Sequence, residues 1–296
     1  MSTSTAAAAR PGTRQLLLDY LDLTKPKVQS LLLLTTVTTM EVAGDPSAGR
    51  VAITCLGGYL SAGGAGAVNH YWDRDIDARM RRTANRPIPS GRVSPGAALR
   101  FGIALATLSF VLMSATVGVL AASLALGGFV GYVGVYTMWL KRRTHHNIVI
   151  GGAAGAMPPL VGWAATRGSL SWTAIYLFAI VFYWTPPHFW ALSLLMKKEY
   201  AEVEVPMLPV VRGEAETRRQ IVLYSLLLYA VTQLPFCVGA FGGIYLVCSI
   251  VLGLAFVGGA VWLYRRPTRR NALRLYLFSM LYLALLFAAM VADVKL

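Results

Sequence analysis

The chain has 296 residues, of which 56% are hydrophobic and only 14% charged, and its mean hydropathy is +0.57. A soluble domain of this size carries closer to a quarter charged residues, so the composition describes a polytopic membrane protein. The cysteines, Cys55, Cys237 and Cys248, stand singly inside apolar stretches, outside any CxxC or Cys/His spacing, which excludes a disulfide framework and a zinc site.

Residues 1–20 read as a disordered cytoplasmic tail. Up to Gln15 they are rich in Ser, Thr and Ala, carry two arginines and no acid, and lack the continuous apolar core of a signal peptide. Residues 21–296 read as one transmembrane domain. Apolar stretches of spanning length fall at 26–45, 51–71, 98–118, 121–140, 147–166, 172–196, 219–239, 243–264 and 272–292. The expected fold is therefore all-α, with nine transmembrane helices and the termini on opposite sides. With the N-terminus inside, 24 of the 27 Lys and Arg residues fall on the cytoplasmic side, leaving Arg50, Arg167 and Lys295 for the other. The net charge of +14 is then topological and calls for no nucleic acid.

At the end of the second span runs Asn69-His70-Tyr71-Trp72-Asp73-Arg74-Asp75-Ile76-Asp77. Asn69, Asp73 and Asp77 are spaced i, i+4, i+8, which on a helix sets them within roughly 80° of one another along a ridge about 12 Å long. Stacked carboxylates repel unless a cation lies between them. Mg²⁺ suits oxygen ligands and shares them with substrate phosphates. The plainer reading is a charged loop whose spacing is coincidental. Glycines 57, 58, 63, 64 and 66 on the same span let helices approach closely, which turns the ridge toward a bundle interior. Arg82 and Arg86 follow, suited to a phosphate ligand or to topology alone.

The fourth span ends in Tyr136-Thr137-Met138-Trp139-Leu140-Lys141-Arg142-Arg143, a basic cluster that either holds a pyrophosphate or anchors the helix. The sixth contains Trp184-Thr185-Pro186-Pro187-His188-Phe189-Trp190 and is followed by Lys197, Lys198, Glu199, Glu202 and Val-Pro-Met-Leu-Pro at 205–209. If the helix resumes after the prolines, His188, Glu199 and Glu202 share a face. An ionisable residue at membrane depth is a functional candidate, the alternative being a neutral His bonded to a neighbouring helix. No GxxxxGK[ST], GxGxxG or GxSxG pattern supports nucleotide or serine chemistry.

These motifs resemble the UbiA-type intramembrane prenyltransferase superfamily, and within it the branch that farnesylates protohaem. The matching stretches are Asn69 to Pro87, Leu140 to Trp163 and Trp184 to Arg212. The resemblance implies nine helices around a central cavity and Mg²⁺-dependent transfer of a farnesyl group from farnesyl diphosphate to a vinyl group of haem b. It implies catalytic Asn69, Asp73, Asp77, Glu199 and Glu202, with the metal on Asn69, Asp73, Asp77 and Glu199. It implies diphosphate binding by Lys27, Arg82, Arg86, Lys141, Arg142 and Lys198, and haem contacts from His188 and Trp190. The implied location is the inner (cytoplasmic) membrane with the site facing the cytoplasm. The implied partners are the lipid bilayer and the next enzyme of haem A synthesis or a terminal oxidase. Two departures stand out. The superfamily's second DxxxD has Val203 where its second acid falls, and its YxxxK is one residue longer here, Tyr136 to Lys141. Competing readings are a prenyltransferase for an aromatic acceptor, such as a quinone precursor or chlorophyllide, and a transporter. Acids gathered at one face rather than mid-membrane disfavour the transporter.

Overall fold

A computed structural model describes residues 12–296. Among these there is no strand. The helices are α1 (Thr13–Leu23), α2 (Pro26–Ala43), α3 (Ala48–Trp72), α4 (Arg74–Arg79), α5 (Pro95–Thr116), α6 (Val119–Val130), α7 (Asn147–Gly155), α8 (Met157–Arg167), α9 (Trp172–Leu195), α10 (Lys197–Glu202), α11 (Leu208–Val211), α12 (Gly213–Cys237), α13 (Gly243–Arg265) and α14 (Arg269–Lys295). Between α6 and Lys141 the chain continues as a π-helix, Gly131–Leu140. Each expected span coincides with one long helical stretch. The fifth is interrupted at Ala156, where Met157-Pro158-Pro159 begins a second helix.

Seven of these stretches are long and apolar enough to cross a membrane. The helices of the first and sixth expected spans, α2 and α9, are also of spanning length; α2 carries a set of threonines and α9 a Pro-Pro-His run. In α2 the polarity points inward: Gln29, Thr35, Thr36, Thr38 and Thr39 are buried, and the hydroxyls of Thr35, Thr36 and Thr38 donate to carbonyls one turn back. In α9 the unbroken helix carries Pro186 and Pro187, which cannot donate to the carbonyls of Phe182 and Tyr183.

Part of the expected tail is ordered. Residues 13–20 belong to α1, whose Asp19 is buried against Arg92 at 2.9 Å, while Leu16, Leu17, Leu18 and Leu21 are exposed. That is the pattern of an interfacial amphipathic helix. Residues 1–11 of the tail lie outside the described residues.

Small residues set the packing. Helix α3 lies along α5 so closely that a Cβ on Gly64 would come within 2.6 Å of the Gly102 carbonyl oxygen. Likewise a Cβ on Gly162 of α8 would meet the Thr36 carbonyl of α2 at 2.5 Å. The largest apolar core joins α9, α12, α13 and α14. The acid ridge sits elsewhere, among α2, α3, α4 and the π-helix.

Candidate active site

The ridge forms, with one break. Helix α3 ends at Trp72 and α4 begins at Arg74, yet helical bonding carries through: Asp73 N donates to the Asn69 carbonyl at 2.9 Å and Asp77 N to the Asp73 carbonyl at 2.8 Å. Asn69, Asp73 and Asp77 are all buried. Each is held by a base. Lys25 Nζ donates to Asn69 Oδ1 at 2.5 Å. Asn69 Nδ2 donates to Asp73 Oδ2 at 2.8 Å and to Thr137 Oγ1 at 3.1 Å. Lys141 pairs with the same Asp73 oxygen, and Arg142 lies 3.5 Å from the other. Arg86 donates to Asp77 Oδ2 at 2.7 Å, and Thr83 donates to the Asp77 carbonyl at 2.9 Å. Asp75 points out of the site, into a two-bond pair with Arg142 that holds its carboxyl down at about 2.

Lys25 is in the site and Lys27 is not: Lys27 is exposed in the first turn of α2. The reason is local. Lys25 precedes Pro26, a position where right-handed helical geometry is disfavoured, and it adopts φ 54°, ψ 56°. A non-glycine residue in the left-handed region costs of order 1 kcal/mol and marks a functional constraint. Burial, then the nearby charges of Arg86 and Lys141, lower Lys25 to about 7. Lys25→Ala should weaken the binding of an anion at this cluster about tenfold or more, whereas Lys27→Ala should not, as measured by titration of the purified chain with inorganic pyrophosphate.

The π-helix accounts for the lengthened Tyr-to-Lys spacing. Lys141 N donates to the Tyr136 carbonyl at 2.8 Å, an i→i+5 bond. Such bonding winds at about 80° per residue, so Tyr132 and Lys141, nine apart, face within roughly 20° of each other, where α-helical winding would set them about 180° apart. Thr137 and Lys141 reach the ridge, and Tyr132 reaches Lys25: its OH is 3.5 Å from Lys25 Nζ, and its ring packs at 5.5 Å from that of Tyr136. The extra residue in the sequence is thus absorbed by wider winding.

The second acidic region is assembled differently from its sequence expectation. Helix α9 stops at Leu195 and Met196 breaks the path before α10, so His188 does not share a helix face with Glu199 and Glu202. Glu202 and Lys198 are exposed. Glu199 keeps a buried, unpartnered Oε2, and its neighbour Tyr200 packs in a cluster with Ile76 and Met80 below the ridge. Arg82 is exposed at the rim, where its charge opposes the rise in the Tyr200 phenol that burial causes. Trp190 is buried edge-on against Tyr224 of α12, with ring centroids 5.1 Å apart, and His188 faces α14.

The donor set fits Mg²⁺. Asn69, Asp73, Asp77 and Glu199 offer only oxygen ligands, and Asp73 Oδ1 and Glu199 Oε2 are buried acceptors with no hydrogen-bond partner among the described residues. Among the described residues no three His, Cys, Asp or Glu side chains converge on one point. The side chains of Lys25, Lys141 and Arg86 instead hold the ridge oxygens.

An apolar cavity of about 220 Å³ opens beside the cluster, between α2, α3, α6, the π-helix and α7–α8. Lys25 and Tyr132 line its polar end. Small residues such as Gly58, Ala62, Ala65, Gly128 and Gly155 form much of its wall, with Leu32, Leu33 and Phe129. The sequence did not single out Lys25, Tyr132 or Thr137 as site residues. The αL turn before proline and the extra residue before Lys141 were the available signals.

A helical membrane protein with buried acids, braced by bases, at the head of an apolar cavity has the architecture of an intramembrane prenyltransferase. The chain belongs to the UbiA prenyltransferase family, which it matches over residues 31–286. It is 54% identical over 295 residues to a protein of Chloroflexus aurantiacus named protoheme IX farnesyltransferase, covering 99% of this chain and 50% of that one. A protein of the same name from Symbiobacterium thermophilum is 52% identical over 284 residues, 95% of each chain. The chain thus spans about half the length of the Chloroflexus relative and nearly all of the Symbiobacterium one. Among solved structures, a study of digeranylgeranylglyceryl phosphate synthase aligns with TM-score 0.78 at 18% identity, covering 95% of this chain and 99% of that one. A UbiA homolog from Archaeoglobus fulgidus bound to DMAPP and Mg²⁺ aligns with TM-score 0.68 at 16% identity, covering 92% and 99%. At such identities these two structures speak to the fold.

Proposed function

We propose that the chain transfers a farnesyl group from farnesyl diphosphate to a vinyl group of haem b, with Mg²⁺, at the cytoplasmic face of the inner membrane that its nine helices cross. The observation that carries this reading is the shared boundary of cluster and cavity. Lys25 and Tyr132 belong to both, so a diphosphate at the cluster would lay its prenyl chain in the cavity. The names of the relatives, at 52–54% identity, direct the choice of acceptor.

The reaction breaks the allylic C–O bond, and its electron pair leaves with the diphosphate. Asn69, Asp73, Asp77 and Glu199 would hold Mg²⁺, which neutralises the departing charge. Lys141 and Arg86 supply fixed positive donors for the diphosphate oxygens, and Lys25 a further hydrogen-bond donor beside them. The same three side chains bond the ridge oxygens, which keeps them gathered at the cluster. The apolar cavity keeps water from the allylic cation. The vinyl π electrons form the new C–C bond. Water then adds to the resulting cation and releases a proton, leaving a hydroxyl.

The cavity wall offers a test. Ala62→Phe should fill the cavity and shift preference from farnesyl toward geranyl diphosphate by about tenfold, read as the ratio of kcat/KM values. Unchanged preference would place the prenyl chain elsewhere.

A further inference from the structure

Two contacts at one serine of α14 fix which ring nitrogen of His188 carries the proton. Ser279 Oγ of α14 is 2.6 Å from the Tyr276 carbonyl oxygen and 2.6 Å from His188 Nδ1 of α9. A hydroxyl has one proton. If it went to His188, the serine oxygen and the Tyr276 carbonyl oxygen would face each other at 2.6 Å with no hydrogen between them. Both contacts are satisfied only when Ser279 donates to Tyr276 and His188 Nδ1–H donates to Ser279. In a neutral imidazole the other nitrogen, Nε2, then carries the lone pair.

The ring is held in that orientation. Trp184, one turn back, stacks on it with centroids 4.2 Å apart and planes 20° apart, and Tyr276 packs at 4.9 Å. The Trp184 indole in turn donates to the Ser279 carbonyl at 2.8 Å, tying the stack to the same residue of α14. Ser279 itself is fully buried. Among the described residues His188 Nε2 has no hydrogen-bond partner, and unlike both ring nitrogens of His70 it is not among the sealed, unpartnered atoms of the interior. A histidine whose Nδ1–H is spent on a fixed acceptor, with Nε2 left open, is the arrangement by which proteins aim an imidazole at a metal.

We infer that Ser279 is a positioning residue that presents His188 Nε2 as an axial nitrogen ligand to the iron of the haem substrate. The inference rests on haem being the acceptor. It gives Ser279, which no motif marks, a role through His188, and Tyr276 one through its carbonyl.

The test is titration of the full-length purified chain with ferric haem b, following the Soret band and the electron paramagnetic resonance spectrum. Wild type should give a histidine-ligated spectrum, and His188→Ala should lose it. Ser279→Ala should weaken haem affinity about 10- to 100-fold and alter the iron signal, because the ring loses its anchor. Ser279→Thr, which keeps the hydroxyl, should restore both. Farnesyl diphosphate binding, which draws on none of His188, Ser279 or their partners, should be the same in all variants and reports intact folding. If His188→Ala loses the spectrum while Ser279→Ala binds haem as wild type does, the positioning role is overturned. If His188→Ala leaves the spectrum unchanged, the ligand assignment falls with it. If wild type takes up no haem while still binding farnesyl diphosphate, the acceptor reading itself fails.

Discussion

Asp73→Ala is expected to lower farnesyl transfer by roughly 10³-fold, or about 4 kcal/mol in the barrier. Asp73 is the centre of the cluster. One of its oxygens accepts from Asn69 and Lys141, while the other is free of hydrogen bonds and faces Arg142 at 3.5 Å. Removing the carboxylate strips the ridge of its middle acid and leaves Lys141, only 16% exposed, without its counter-charge. Breaking one side of a buried pair costs about 3–5 kcal/mol, so the variant should also unfold more easily. Asp73→Asn separates the two effects. It keeps the shape and one acceptor oxygen but lacks the charge, so it should recover most of the stability and little of the activity. The check is product formation in detergent with farnesyl diphosphate, haem b and Mg²⁺, alongside thermal unfolding.

Deletion of Gly134 should lower transfer about 10²-fold with little change in helix content. The residue lies within the π-helix, and a Cβ there would meet nothing within 4 Å. Gly134→Ala should accordingly behave as wild type. Removing one residue lets the segment close into α-helical bonding, which turns Lys141 by roughly 60° relative to Tyr132 and away from Asp73. The loss should appear in farnesyl diphosphate affinity as well as in turnover if Lys141 holds the diphosphate as proposed. Equal activity in the deletion variant would show that the wide winding serves no purpose at the site.

These two predictions differ in how visible their residues are before folding. Asn69, Asp73 and Asp77 declare themselves because a helix repeats every 3.6 residues and α3 stays helical through its exit. The apolar stretches declare the long helices in the same way, to within a few residues at most ends. What escaped depends on local departures from regular geometry. Choosing Lys25 over Lys27 needs the left-handed turn before Pro26, which two residues of sequence do not dictate. The Tyr136–Lys141 spacing looks like a mismatch until the winding is known. The face expected to join His188 to Glu199 is lost at Met196, where two helices meet without continuing one another. The cavity is hardest of all. Gly58 and Ala62 line it while Gly57 and Gly64 pack against α5, and composition does not distinguish them.

The central claim is that the ridge activates farnesyl diphosphate for attack by a haem vinyl group. Mass spectrometry of the haem pool after incubating the purified chain with farnesyl diphosphate, haem b and Mg²⁺ tests it most directly. The expected product is haem carrying one farnesyl group and one added hydroxyl, formed by wild type and absent with Asp73→Ala. Unmodified haem beside a farnesylated aromatic acceptor, or no farnesyl transfer at all from an otherwise folded wild-type chain, would contradict it.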